Sequence, residues 1–420
     1  MVAARATFDV IIVGGGPAGS ATAIQPGARR PVGAGARAEP AAAGQGVRRV
    51  PEPGCDRHAQ ERLALRSLLA DVPQRDVRAI AIVSPGGHRV VGSFGSARGL
   101  SIARADLDHA LVRGARALGA HVLEGASVSG IARDASGVSV TWAEDTVLGE
   151  ARAPLVVGAD GRFSIVARRL GLQRRPRAGG RAVIHGRFGS CGGRHDRVEM
   201  YLLPGRRYLG LNQLPDGALN ASLVVDLADL KQRQRVGCAQ LLREAIARSP
   251  ALAHVLGDAT LSDAVAVLAP LLVQPAATFA ERVLLVGDAA GFRDPLTGEG
   301  IDQALRGAEL AARWCSTALA RQRFDARLLA GYGRERRRAF AAKDALNCAF
   351  QWLLARPALQ SILGARLERS RSAADALVRV IGNVCSPWTL LAPSFLTGLL
   401  RVPEANGFSL FSRRRFRGKR

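Results

Sequence analysis

Residues 8–19 constrain this chain more than any other segment. Phe8-Asp9-Val10-Ile11-Ile12-Val13 is β-branched and apolar enough for a buried parallel strand, and Gly14-Gly15-Gly16-Pro17-Ala18-Gly19 follows without a spacer. A strand that runs through GxGxxG into a helix opens an α/β fold of the Rossmann kind, built to hold a dinucleotide. Each glycine has its own task. Gly14 permits the tight turn, Gly16 lets the backbone approach a pyrophosphate, and Gly19 lets the helix pack on the strand. Pro17 and Ala18 complete the motif, and the helix N-terminus then faces the anion.

A fold opened in this way should pass through the helix of residues 20–25 into a second strand, ending about 20 residues on in an acid for the ribose hydroxyls. From Pro26 to Gly54, however, 23 of the 29 residues are Ala, Gly, Pro or Arg, with no Leu, Ile or Phe. Such a composition is expected to give neither the helix nor the buried strand. Glu39 lies at a suitable distance for the ribose but on no recognisable strand. Ordinary patterning resumes near Leu63–Leu69, so residues 26–62 read as anomalous. Two readings stand: an unusual Gly/Pro-rich loop, or, favoured, a stretch translated out of frame between two compensating shifts in GC-rich DNA. The basic residues fit a GC-rich gene, since only Lys231, Lys343 and Lys419 of the 59 are lysine.

Two further turns carry chemistry. Ser101-Ile102-Ala103-Arg104 precedes a helix whose Leu107, Leu111, Ala115 and Leu118 share one face. Arg104 at its entrance is either solvated or a cation aimed at a cofactor's ring or phosphates. The strand Leu155–Val157 then ends in Gly158-Ala159-Asp160-Gly161-Arg162 and enters a helix near Ser164. The most specific turn comes last. Val283-Leu284-Leu285-Val286 delivers Gly287-Asp288-Ala289-Ala290-Gly291, and Asp294-Pro295-Leu296-Thr297-Gly298-Glu299-Gly300-Ile301 opens a long helix. Asp288 at a strand end suits the hydroxyls of a polyol, and Gly298 and Gly300 allow close backbone approach. The positive end of the helix would stabilise negative charge on a bound ring.

With these turns in this order, the chain resembles the FAD-dependent monooxygenases and geranylgeranyl reductases that share a glutathione-reductase-type FAD domain. The match covers residues 8–25 and about 100–310. The resemblance implies FAD as cofactor and NADPH or NADH as electron donor. It implies the ADP half at Gly14, Gly16, Pro17, Ala18 and Gly19. Arg104, Asp160, Gly161 and Arg162 fall at the cofactor's middle and at the approach of the pyridine nucleotide. Gly287, Asp288 and Ala289 fall at the ribityl chain, with Pro295, Gly298, Gly300 and Ile301 beside the flavin. The expected fold is α/β: a Rossmann-like FAD domain with a parallel sheet, an inserted antiparallel substrate-side sheet and a helical C-terminal region. The boundaries read from sequence are residues 1–177 with 265–320 for the FAD domain, 178–264 for the inserted sheet, and 321–420 for the helices and basic tail.

Within that family, hydroxylases commonly carry His after Gly-Asp-Ala-Ala, whereas Gly291 and the DPLTGEGI segment here resemble the geranylgeranyl-reductase and halogenase side. The favoured function is therefore reduction of an isoprenoid, lipid or other apolar metabolite. An NAD(P)H monooxygenase of aromatic or polyketide substrates is the alternative, and a non-functional product with impaired FAD binding is a further one. The aromatic segment common in the reductases has only Tyr208–Gln213 as counterpart, and Trp142, Trp314, Trp352 and Trp388 are isolated, which disfavours halogenation. No acid or base is assigned; His185, His195 and His254 read as structural.

Composition narrows the partners. A chain of 420 residues, 48% hydrophobic and 22% charged, reads as a globular protein of one large or two domains. The start runs straight into a strand, so no signal peptide is read and the cytoplasm is the expected compartment. Six scattered cysteines lack the spacing of a metal site. The net charge of +24 goes with no nucleic-acid fold motif, so nucleic acid is not an expected partner. Residues 388–400 are uncharged but too short to span a bilayer, and read as core. The competing reading is a lipid-facing wall or an interfacial contact with an anionic membrane through residues 388–420, peripheral at the inner face, aided by six basic residues from Arg413 onward.

Overall fold

The computed structural model describes residues 6–25, 31–34, 47–50, 67–144, 147–174, 180–189, 196–232, 237–262 and 265–400. At its centre is a six-stranded sheet in the order Phe279–Ala280, Val283–Leu285, Leu155–Gly158, Val10–Val13, Pro31–Ala34, His121–Leu123. All neighbours are parallel except the first pair. Val10–Val13 and Leu155–Gly158 are buried throughout, which is why both are continuous apolar runs. Alternate side chains feed two cores. Val10 and Ile12 pack against Ala18, Leu107, Leu111 and Ala304, from the helices Pro17–Ile24, Arg104–Ala117 and Gly300–Arg321. Ile11 and Val13 pack against Val138 and Val140 of a four-stranded sheet built from Ala6–Thr7, Ser127–Asp134, Gly137–Glu144 and Val147–Ala153.

One expectation is corrected here. The Gly/Pro-rich stretch does form strands: Pro31–Ala34 pairs with Val10–Val13 and His121–Leu123, and Val47–Val50 pairs with Arg98–Ile102. For Pro31–Ala34 a slot between two strands offers backbone partners on both sides, and that context overrides weak side-chain propensity; Val47–Val50 pairs on one side as an edge strand. Pro31 opens its strand, a position where proline's missing N–H is tolerated. Glu39 lies outside the described residues.

The substrate-side sheet has seven strands in the order Ala266–Leu268, Arg181–Phe188, Leu219–Asp226, Arg207–Gln213, Arg197–Leu203, Ala79–Val83, Arg89–Ser93. Its middle is the antiparallel meander expected from sequence, with the tight turn at Pro215-Asp216-Gly217, where Gly217 takes φ +88°. Its edge differs. Ala79–Val83, placed by sequence with the first 177 residues, runs parallel to Arg197–Leu203 and brings Arg89–Ser93 with it. One face of the sheet is covered by the helices Cys238–Ala247 and Pro250–Leu256. On the other face Val183, Tyr208 and Val224 meet Leu296, so this sheet packs on the turn after Asp288.

The C-terminal region is helical: Ala326–Leu354, Pro357–Arg369, Arg371–Ile381, a short 3-10 turn Pro387–Leu391, and Pro393–Leu400. It packs on the 79–93 hairpin so closely that a Cβ at Gly92 would fall 2.3 Å from the Ala374 carbonyl oxygen. The expectation that residues 388–400 are core is overturned. Leu390, Phe395 and Leu399 turn inward, while Trp388, Leu391, Leu396 and Leu400 are exposed. A single layer of short helices has only one side to bury. Among the described residues, no helix is long and apolar enough to cross a membrane.

Candidate active site

The three Gly/Asp turns meet at the carboxyl ends of the parallel strands, where open α/β sheets bind ligands. Gly14, at φ +113°, lies against the next strand end, and a Cβ there would sit 2.3 Å from the Ala159 carbonyl oxygen. A Cβ at Gly19 would sit 1.9 Å from the Gly14 oxygen, and one at Gly287 2.7 Å from the Ala18 Cβ. These three glycines are demanded by contact between protein segments. Gly16 is not: its nearest neighbour would be Arg104 Nη2 at 3.8 Å, and Gly298 borders open space. Backbone kept bare beside an arginine, with nothing of the protein filling the gap, is a cradle for an anionic ligand.

Asp288 is the carboxylate of this cleft. It lies deep in the molecule yet keeps 37% side-chain exposure, as a group facing a cleft must, and Arg162 Nε stands 4.0 Å from its Oδ2. Burial pushes its carboxyl above the ordinary range, while Arg162 and Arg104 pull the other way. Arg104 itself bonds Asp108 at 2.9 Å. Asp160 is turned away from the cleft. It accepts bonds from Ser164 Oγ and the Ile165 N–H, both at 2.6 Å, and so fixes the start of the short helix Ile165–Arg169. Burial raises the Asp160 carboxyl as well, against these hydrogen bonds. Ala18 and Ile301 point into the core and Ala289 is buried, so the cleft meets their backbone and not their side chains.

From the substrate-side sheet His185 faces the same region, bonded through Nδ1 to Ser222 Oγ at 2.7 Å. Burial, with help from Arg162, pulls its imidazole down to about 4. At neutral pH it is therefore an uncharged hydrogen-bonding group. His195 lies outside the described residues, and His254 sits in the last turn of Pro250–Leu256.

The turn Asp294–Gly300 is held from three sides. Tyr208 donates its hydroxyl to Asp294, and Arg181 lies over the Tyr208 ring at 5.2 Å. Lys343 Nζ reaches Glu299 at 2.5 Å and the carbonyl of Val380 at 2.6 Å, with both side chains of the pair buried. Asn347 donates to the Asp294 carbonyl at 3.1 Å, and Asn383 to Asp302 at 3.0 Å. Sequence reading missed this framework. Lys343 did carry a signal, as one of three lysines in so Arg-rich a chain, and Glu299 lay in the turn already singled out; nothing in the sequence joined the two.

Two cavities flank this turn. One, about 260 Å³, is polar and bounded by Arg174, Arg293, Arg336, Lys343 and Gly300. The other, about 80 Å³, lies between Pro295–Glu299 and the seven-stranded sheet. Its lining is mainly apolar, with Ile80, Phe94, Met200, Leu211, Leu296 and Ile381 around Tyr208 and Asn212. Tyr208, Gly210, Leu211 and Asn212, the only counterpart of the reductases' aromatic segment, all border it.

A parallel sheet with a bare glycine cradle, a deep carboxylate between arginines and a pocket beneath an inserted sheet defines a dinucleotide-cofactor enzyme. Residues 78–345 match the FAD binding domain family, and the chain belongs to it. It is 29% identical over 265 residues to digeranylgeranylglycerophospholipid reductase 2 of Methanothermobacter thermautotrophicus, covering 61% of this chain and 65% of that protein. The chain thus spans less than two thirds of the curated relatives it matches, 65% of one and 53% of another. A geranylgeranyl bacteriochlorophyll reductase-like protein from Thermoplasma acidophilum has the same fold, with a TM-score of 0.69 at 18% identity over 94% of this chain and 96% of its own. The flavin-dependent brominase Bmp2 gives 0.74 at 15% identity, over 90% and 94%. The residues present fit FAD: the open backbone at Gly16 beside Arg104 has room for an anionic group, and the half-open Asp288 can accept hydrogen bonds from hydroxyls.

Proposed function

We propose that this chain is a flavin-dependent reductase that delivers hydride to one carbon of a carbon–carbon double bond of an isoprenoid or comparably apolar lipid, the other carbon taking a proton that comes from solvent. The observation that carries the reading is the small, mainly apolar cavity between Pro295–Glu299 and the substrate-side sheet, which suits a hydrocarbon chain better than a polar substrate. The match to a lipid reductase supports it. FAD supplies the hydride chemistry when bound. In this reading the Gly14–Gly19 turn and Arg104 hold the ADP half and the phosphates, and Asp288 holds the ribityl hydroxyls. Pro295, Gly298 and Gly300 present backbone to the ring, and Gly161 and Arg162 lie where NADPH or NADH approaches. Lys343 and Asn347 keep the 294–300 turn in register from behind, and the sheet face excludes water from the cavity.

The test is anaerobic. Protein loaded with FAD is reduced with NADPH or NADH and offered a geranylgeranyl lipid, and mass spectrometry is expected to find two hydrogens gained for each double bond. Oxygen uptake that depends on an aromatic substrate, with no saturation of the lipid, would reject the reading in favour of a monooxygenase. Asp288→Ala is expected to weaken FAD binding at least tenfold, the loss of hydrogen bonds to a charged group being worth about 1.5–3 kcal/mol.

A further inference from the structure

We propose that the C-terminal helical layer is a docking surface for an anionic lipid bilayer. Among the described residues, seven of the thirteen exposed large apolar side chains fall between positions 352 and 400. Trp352, Leu359 and Ile362 belong to the end of one helix and the start of the next, while Trp388, Leu391, Leu396 and Leu400 follow in the last two elements. These elements pack on one another: Pro393–Leu400 against Pro357–Arg369, and Pro387–Leu391 against both Ala326–Leu354 and Pro393–Leu400. Leu396 and Leu400 are 45% and 68% exposed and Trp388 67%, which is more apolar surface than a face turned to water ordinarily keeps.

Charge identifies the occupant. Arg356, Arg366, Arg369, Arg371 and Arg379 of this layer are all exposed. Between positions 352 and 400 the two acids are both engaged by the sheet: Glu368 accepts from His88 Nδ1 and the Arg89 N–H, each at 2.9 Å, and Asp375 from the Ser93 N–H at 2.7 Å. Arg356 stacks over Trp352 at 3.7 Å, an aromatic and cationic pair of the kind that settles at a headgroup boundary. The sequence that follows adds six basic residues from Arg413 to Arg420. That tail, or a second copy of a chain with a charge of +24, would bring positive charge onto a positive face, whereas an anionic bilayer accepts both the indoles and the arginines. The patch also adjoins the apolar cavity along the chain, since Ile381–Val384 form part of the cavity wall and Trp388 follows four residues later. Delivery of a lipid from bilayer to cavity along this segment rests on the reductase reading; docking does not.

The full chain, loaded with FAD, is sedimented with vesicles of phosphatidylcholine, with and without phosphatidylglycerol, across a salt series. Binding is expected only with phosphatidylglycerol and to fall with salt. The triple substitution Trp388→Ala, Leu391→Ser, Leu396→Ser is expected to weaken it at least tenfold while FAD content and thermal midpoint stay unchanged. Arg366→Glu with Arg369→Glu should do the same, and covers the case in which the first variant misfolds. Protein that stays in the supernatant with every vesicle, or a dimer that the apolar substitutions dissociate, overturns the proposal. Vesicle binding needs no substrate, so failure of the reductase assay leaves this outcome readable.

Discussion

Two glycines only two positions apart are expected to behave in opposite ways. Gly14 sits at φ +113° with the Ala159 carbonyl where a side chain would go, so Gly14→Ala should cost at least about 2 kcal/mol of stability, read as a lower urea midpoint. Gly16 has room for a methyl group as far as the protein is concerned, and Gly16→Ala should leave the urea midpoint of the FAD-free protein unchanged while the purified protein loses its yellow colour. If both variants lose stability alike, the cradle at Gly16 is a packing feature and not a cofactor contact. His185 gives a prediction in pH. Its imidazole is held neutral down to about 4 in the folded protein, against an ordinary value of 6.5 in the unfolded chain. Between those values the unfolded chain binds more protons, so stability falls as pH drops from about 6.5 toward 4, by at most about 3 kcal/mol, and levels off below. Unfolding curves for His185→Asn should show a shallower slope across that window. At this scale the sequence was readable where a backbone requirement is local, as at Gly14 and Gly287. It gave no sign that Tyr208, Asp294 and Arg181 meet, because only the packing of the sheet on the 294–300 turn brings them together.

Three helices and a strand converge on the turn 294–300. Glu299 and Lys343 form a buried pair in which burial pushes the carboxyl up and the ammonium down, while mutual attraction opposes both. Breaking such a pair by removing one partner typically costs about 3–5 kcal/mol, because the other charge stays buried alone. Lys343→Met is therefore expected to lower the thermal midpoint sharply, and adding Glu299→Gln to recover much of the loss, a non-additivity that calorimetry of the single and double variants measures. Strands announced by unbroken apolar runs, such as Val10–Val13 and Leu155–Gly158, were legible because burial on both faces leaves that signature. Pro31–Ala34 was not, since what makes it a strand is the empty slot between its neighbours. Residues 388–400 misled for a related reason: an uncharged stretch reads alike whether it faces a core or a lipid.

For the whole molecule, the vesicle experiment separates a flavoprotein that floats free from one that works against a surface. Its predicted salt dependence follows from a Debye length of about 8 Å at physiological ionic strength. The chain's path sets a different condition. Ala79–Val83 hydrogen-bonds to Arg197–Leu203, a strand synthesised roughly 120 residues later, so the substrate-side sheet cannot close until most of that sheet's own segment has been made. Until then the ribosome presents Ala79–Val83 and Arg89–Ser93 as a two-stranded apolar ribbon with an unpaired edge, a species prone to join strands of other chains. Dividing the protein at residue 177 would make that condition permanent, so the two pieces expressed apart should be insoluble, and co-expression should be needed to recover either one.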